Sequence, residues 1–285
     1  MIVLALGVFG LIVGSFLNVV ILRHGVRGIG GRSGCMTCGR RLLWYDMVPV
    51  ISWLVLRGRC RQCRADISIQ YPLVEAATGL LFGSIGFWAT SSPAGLTGAG
   101  IMLIAVYSLM AALLVCIAAY DLLHTVIPDE WAYFFAALAF ISQFLVPSSS
   151  GFNVWSLVAG PIAAAPLFAL WLFSRGTWMG LGDAKLALGF GWVLGPLLGI
   201  LAVFGAFIVG AIVSLCILLP LPAIVQWLYT LGITSRGTLS GGFTMKSEIP
   251  FGPFLIFSFI FVWFATMYGF DLLRMLGLSF ADVFL

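Results

Sequence analysis

Charge is what this sequence has least of. Asp, Glu, Lys and Arg together make 8% of its 285 residues, against 62% hydrophobic residues. Soluble domains carry about 25% charged residues, so a water-facing surface around the whole chain is excluded and lipid must cover much of it. Histidine is almost absent, at His24 and His124, and both read as interfacial polar residues. No His-Glu-x-x-His, no Ser-His-Asp arrangement and no phosphate loop is present, which removes the usual zinc-peptidase, serine-hydrolase and P-loop readings. There is no fixed-period repeat and no long low-complexity tract.

What the chain has is apolar length. A helix needs roughly 20 apolar residues to span a bilayer, and residues 2–22 qualify without one charged side chain. A cleaved signal peptide would want its positive charge before the apolar run and a small-residue cleavage site after it. Here the positive charge follows the run, so an uncleaved first helix with its N-terminus outside is expected. Gly10, Gly14 and Asn18 recur every four residues, a pattern suited to close helix packing. Further spans are expected at about 71–89, 99–120, 130–146, 153–173, 184–199, 201–228 and 251–273, eight in all, with the boundary between the sixth and seventh near Gly195-Pro196. The fold class is therefore an all-α polytopic membrane protein.

Nine of the fourteen Lys and Arg lie between Arg23 and Arg64. A basic stretch can signal nucleic acid, but between apolar spans it is a cytoplasmic loop under the positive-inside rule. Eight spans put residues 23–70, 121–129, 174–183 and 229–250 on that side. Arg175, Lys185, Arg236 and Lys246 then join the loop charges, leaving only Arg274 near the outside. Residues 147–151 read as a short external loop.

Cysteine is concentrated in the same basic loop. Cys35-x-x-Cys38 is followed, after 21 residues, by Cys60-x-x-Cys63. Each pair can grip one side of a tetrahedral zinc, and glycines and cations beside both pairs suit turns around thiolates. Two redox dithiols, four unrelated thiols or iron are the alternatives. Cys116 and Cys216 sit alone in apolar runs and read as inert core thiols.

The chain has ten acids. Asp46, Asp66 and Glu75 belong to the cysteine module or its edge, and Asp271 and Asp282 to the outer C-terminal end. The interesting group is Asp121, Asp129, Glu130 and Asp183, at the expected cytoplasmic ends of apolar spans. Carboxylates at a membrane boundary are functional candidates by default. Two of them within hydrogen-bond reach share one proton. The ionised member can then activate water while the protonated member polarises a peptide carbonyl. Each acid also has a bland reading. Asp183 can be a helix N-cap, Asp129 after Pro128 a helix opening, Asp121 a solvated helix end, and Lys185 a neutraliser of Asp183. Gly180 and Gly182 would permit backbone conformations barred to other residues and close approach of a substrate strand.

Taken in order, these segments resemble the type IV prepilin peptidase family, bifunctional leader peptidases and N-methyltransferases among the Gly-x-Gly-Asp membrane aspartyl proteases. Gly180-x-Gly182-Asp183 resembles the Gly-x-Gly-Asp signature, and Asp121 through Ile127-Pro128-Asp129 the other acid-bearing segment. Glu248-Ile249-Pro250-Phe251-Gly252-Pro253 is similar to the late Pro-Phe-Gly-Pro segment. Gly14-Ser15-Phe16-Leu17-Asn18-Val19-Val20 is similar to the opening motif. Leu56 to Cys63 and Ile67 to Glu75 are similar to the cysteine module. The family's usual Arg-x-Pro after the first helix is here Arg23-His24-Gly25, and the segment to Cys35 is glycine-rich.

The resemblance implies cleavage of the short basic leader of prepilins or pseudopilins at the cytoplasmic face of the bacterial inner membrane, followed by N-methylation with S-adenosylmethionine. It implies Asp121 and Asp183 as the catalytic pair, with Asp129, Lys185, Gly180 and Gly182 supporting. Residues 1–75 would carry the methyltransferase part, with zinc on Cys35, Cys38, Cys60 and Cys63, and residues 76–285 the peptidase. Two other classes compete: an ion or proton-coupled transporter using the boundary carboxylates, and a non-catalytic zinc-bearing assembly factor. Transport sites usually lie near the midplane, whereas these acids sit at one face.

Overall fold

The computed structural model describes residues 1–26, 28, 30–31, 33–92, 95–146, 154–218, 250–275 and 277. Among the described residues the fold is helical, and its β structure is two isolated bridges, Gly34 to Arg41 and Arg59 to Asp66. The helices are α1 (Ile2–Arg23), α2 (Ile51–Val55), α3 (Gln70–Ser91), α4 (Gly98–His124), α5 (Asp129–Leu145), α6 (Val154–Ser174), α7 (Leu181–Leu194), α8 (Pro196–Val213), α9 (Gly252–Met267) and α10 (Leu272–Met275). Among the described residues, five segments are long and apolar enough to cross a bilayer: Ile2–Arg23, Gln70–Ser91, Gly98–His124, Trp155–Ser174 and Pro196–Cys216. Gly252–Met267 is a shorter apolar helix, and α5 and α7 have 17 and 14 residues. Among the described residues eight helices overlap the eight expected spans in order, and five of these segments are long and apolar enough to cross a bilayer.

The break between the sixth and seventh expected spans falls at Gly195-Pro196, the place the sequence suggests for it, a few residues before the limits drawn at 199 and 201. Gly195 has φ +83, a left-handed conformation that favours glycine, and Pro196 opens α8 at a position where its missing N–H costs nothing. The last part of the expected 201–228 span, Arg236, Lys246, Glu248, Ile249 and Asp282 lie outside the described residues.

The chain divides into two compact units, Met1–Val158 and Ala159–Leu285. In the first, α1 lies along α3, and α4 packs on both and on α5. The α1–α3 seam is a backbone-to-backbone contact. A Cβ on Gly10 would come within 2.7 Å of the Thr78 carbonyl, and one on Gly14 within 2.7 Å of the Glu75 Cα. Those distances exclude any side chain without a shift, so the four-residue glycine spacing works as expected. Asn18, one step further along the same stripe, crosses the seam by donating from Nδ2 to the Tyr71 carbonyl at 3.2 Å.

In the second unit α7, α8 and α9 pack together. Phe190 stacks on Phe259 at 4.1 Å, and Phe259 on Trp263 at 5.5 Å. The Ser258 hydroxyl donates to the Ala202 carbonyl at 2.7 Å. A core built from aromatic faces and small residues (Ala187, Gly191, Ala202, Ala206) suits a medium that supplies no hydrophobic drive between helices, so shape must do the packing.

Candidate functional site

Two turns build the cysteine cluster, and both follow one pattern. The Cys35 N–H donates to the Arg40 carbonyl at 2.9 Å, and the Gly39 N–H returns to the Cys35 carbonyl at 2.9 Å. In the second turn the Cys60 N–H donates to Ala65 at 2.8 Å, and the Arg64 N–H to Cys60 at 3.0 Å. Gly39 and Arg64 occupy the matching left-handed positions, at φ +69 and +59. The first turn puts glycine where it costs little, while the second accepts strain of about 1 kcal/mol at Arg64.

The turns are pinned face to face. Arg40 donates to the Gln62 side chain. Arg61 binds Asp46 at 2.9 Å and lies over the Tyr45 ring, so the 3₁₀ turn Trp44–Met47 is tied to the second cysteine pair. Trp53 Nε1 donates to the Ile67 carbonyl at 3.1 Å. Gly58, at φ +67, lies so close beneath the Trp53 ring that a Cβ would come within 2.8 Å of it.

The result brings all four sulfurs within 4.8 Å of one another, with Cys35 and Cys63 Sγ 3.7 Å apart. Sulfurs on a tetrahedral zinc with bonds of about 2.3 Å stand roughly 3.8 Å apart, so the cluster fits one such ion. Its electrostatics fit too. The backbone N–H groups of Cys38 and Thr37 lower the Cys35 thiol to about 6. Those of Cys63 and Gln62 lower Cys60. Cys63 receives a favourable Ala65 N–H, but desolvation and the three neighbouring sulfurs outweigh it and push the thiol up to about 11. Crowding thus makes the last proton hard to lose without a cation among the sulfurs.

Asp121 and Asp183 are both buried, at 4% and 8% exposure. Asp121 closes the last turn of α4, where its carbonyl accepts the Thr125 N–H at 2.7 Å. Thr125 takes φ +54, which is unusual for a β-branched residue and reverses the chain toward Ile127-Pro128. Asp129 then begins α5 and is exposed. Asp183 lies in the first turn of α7, with the partly exposed Lys185 two residues on. Asp121 belongs to the first unit and Asp183 to the second.

The two signature glycines differ from expectation. Gly180 has φ −72 in an extended conformation before α7, Gly182 is helical, and neither has a left-handed backbone. A Cβ on Gly180 would meet nothing closer than Asp183 Oδ2, at 3.8 Å. Neither glycine is therefore required by backbone conformation. At Gly180 what glycine leaves is open space beside Asp183.

Both histidines sit in one aromatic cluster that sequence reading placed only loosely. His24 packs on Trp131 at 4.5 Å and edge-on to Tyr120 at 5.3 Å, and Tyr120 meets His124 at 4.3 Å. The cluster joins the C-terminal ends of α1 and α4 to the start of α5, beside Asp121. The i, i+4 spacing of Tyr120 and His124 was its only sequence signal.

A four-cysteine cluster that fits a metal ion, ahead of helices long and apolar enough to cross a bilayer, defines a multi-pass helical membrane protein with a metal-binding loop. Comparison with known proteins agrees. Residues 8–89 match the bacterial peptidase A24 N-terminal domain, and residues 108–215 match the type IV leader peptidase family. A Stutzerimonas stutzeri protein named prepilin leader peptidase/N-methyltransferase is 32% identical over 291 aligned positions, covering 92% of this chain and 89% of its own. A Vibrio cholerae protein of that name is 30% identical, covering 90% and 94%. One from Myxococcus xanthus is 56% identical over 77 residues, 26% of this chain and 23% of its own. No solved structure matches. The chain belongs to the type IV leader peptidase family.

Proposed function

We propose that this chain is an aspartyl endopeptidase of the bacterial inner membrane that removes the leader of type IV prepilins or pseudopilins and then N-methylates the new terminus. The observation that carries the reading is the burial of Asp121 and Asp183 at helix ends inside the segment that matches the peptidase family. In this reading eight helices span the bilayer, with the N-terminus outside and both acids at the cytoplasmic face, as the basic loop demands.

The two carboxyls then hold one proton between them. The ionised carboxylate accepts a proton from the attacking water, and the protonated one donates to the scissile carbonyl oxygen as negative charge develops there. The same groups exchange roles as the amine leaves. Asp129 and Lys185 bias the local potential, and the open space beside Gly180 admits an extended substrate strand. An intact substrate helix would keep its carbonyls in hydrogen bonds, so cleavage needs that strand unwound. Cys35, Cys38, Cys60 and Cys63 hold the zinc, which organises the loop, and S-adenosylmethionine supplies the methyl group. Residues 1–75 serve methyl transfer and 76–285 proteolysis.

The test is mass spectrometry of a co-expressed prepilin, which reports the cut position and any added methyl together. Asp121→Asn and Asp183→Asn are each expected to leave the precursor intact. Turnover at the wild-type rate by either variant rejects the pair.

A further inference from the structure

The first unit contains a cavity of about 940 Å³ between α1, the start of α3 and the cysteine module. Its wall includes two of the four cysteines, Cys35 and Cys60, together with Asn18, Gln70, Tyr71 and Glu75. The module side of the lining is strongly charged, whereas the wall formed by α1 and α3 is mostly apolar around Asn18 and Glu75.

Asn18 is 1% exposed. Its Nδ2 donates to two carbonyls, Gly14 at 3.3 Å and Tyr71 at 3.2 Å. That pairing fixes which end of the amide is nitrogen. Its Oδ1 is buried with no hydrogen-bond partner, a condition that costs about 1–3 kcal/mol unless something donates to it. One turn into α3, Glu75 is 7% exposed and lines the same cavity. Glu75 Oε2 accepts the Val50 N–H at 2.7 Å, and the Ser15 hydroxyl also donates to the carboxylate. A carboxylate offers about four acceptor positions, so capacity remains.

Val50 is itself held in a rare conformation. Its φ is +61 and ψ −50, and the Ile51 N–H closes a three-residue turn onto the Pro49 carbonyl at 2.6 Å. This hand of γ-turn is strained, the more so for a β-branched residue. Strain kept beside a buried carboxylate points to a positioned group.

An unsatisfied amide oxygen and a buried carboxylate on the α1–α3 wall of one cavity suit a primary ammonium group carried on an apolar residue. We infer that this cavity takes the free α-amino terminus released by leader cleavage, with Asn18 Oδ1 and Glu75 as its acceptors and Glu75 as the base for methyl transfer. This rests on the bifunctional reading above. An ammonium has no lone pair and cannot be methylated. Glu75 takes one of its protons, the freed nitrogen lone pair forms the new N–C bond, and the S–C bond of the sulfonium donor breaks with its electrons left on sulfur. The remaining extra proton leaves to solvent. The other charged residues lining the cavity are Arg23 on α1 and Arg40, Arg41, Asp46, Arg61 and Asp66 of the module, with Asp46 paired to Arg61 and Asp66 to Arg59, so Glu75 is the one acid of the lining that α3 supplies.

The test uses the full chain in detergent with its metal bound. A peptide copying the first residues of the mature substrate is titrated calorimetrically, with a free or an acetylated N-terminus. Wild type is expected to prefer the free amine at least tenfold. Glu75→Gln, which keeps an acceptor for Val50, and Asn18→Leu should each abolish that preference. S-adenosylhomocysteine, which carries its own ammonium, is titrated in parallel, and its affinity should not change in either variant. If it weakens while peptide discrimination survives, the cavity holds the donor's ammonium and the assignment falls. Glu75→Gln should also regain methylation as pH rises above the amine's own titration, which a merely structural defect would not do. Full methylation by Glu75→Gln at neutral pH overturns the inference. Wild-type protein that leaves a prepilin uncut rejects the broader reading instead, and the two failures are separable.

Discussion

The cysteine module and the acid-bearing helix ends are built on opposite plans. The module gathers four side chains with two short turns that copy one another, and backbone hydrogen bonds within each turn aim its sulfurs. The acids are single residues, buried at the ends of long helices, 62 positions apart and in different units. Local turns concentrate their chemistry in the spacing of the sequence. Helix ends disperse it, so each carboxylate on its own resembles an ordinary cap.

The contrast predicts that the two sites fail independently. The double variant Asp121→Asn, Asp183→Asn should lose leader cleavage by at least about a thousandfold, and no more than either single change, because paired acid and base act as one unit. Its metal content, measured by elemental analysis, should stay at the wild-type level. Cys60→Ser should do the reverse, with bound zinc falling to none and leader cleavage persisting. Loss of both properties in either variant would break the division.

Within the module, pH separates the sulfurs. In metal-stripped protein Cys35 is depressed to about 6 and is already thiolate at pH 7, whereas Cys63, raised to about 11, is still protonated. Alkylation at pH 7 followed by peptide mapping should label Cys35 at least about tenfold faster. The advantage should fade as pH falls through 6, and equal labelling would contradict the proposed hydrogen bonding. At the seam, Gly14→Ala pushes a methyl group into the Glu75 backbone and should cost about 1–3 kcal/mol in thermal unfolding. The smallest effect lies between the two turns. Gly39→Ala should cost about 1 kcal/mol of stability in the metal-bound protein. Arg64→Gly should be near neutral, since relieved strain offsets the flexibility of glycine. A larger change at Arg64 would show that its side chain, and not its backbone, matters.

Much of this was legible beforehand for particular reasons. The CxxC spacing foretold the sulfur cluster because a four-residue turn leaves few other geometries. The Gly10, Gly14 and Asn18 stripe foretold the seam because helices repeat every 3.6 residues. The break at Gly195-Pro196 was located only to within a few residues because a glycine in an apolar run gives the same hydropathy whether it packs or turns. The ordinary backbone of Gly180 and Gly182 was equally hidden, since composition shows what glycine permits and not what it adopts. The strained turn at Val50 carried no signal at all, because a β-branched residue is the last to be suspected there.

The seam also bears on how the first helix is regarded. A segment that only tethers a protein to lipid can be exchanged for any apolar stretch of equal length. Here α1 touches its neighbour backbone to backbone and supplies Asn18 to a cavity wall. A chimera carrying a plain polyleucine span in its place would still insert with the same orientation, yet lack the groove into which Glu75 is set.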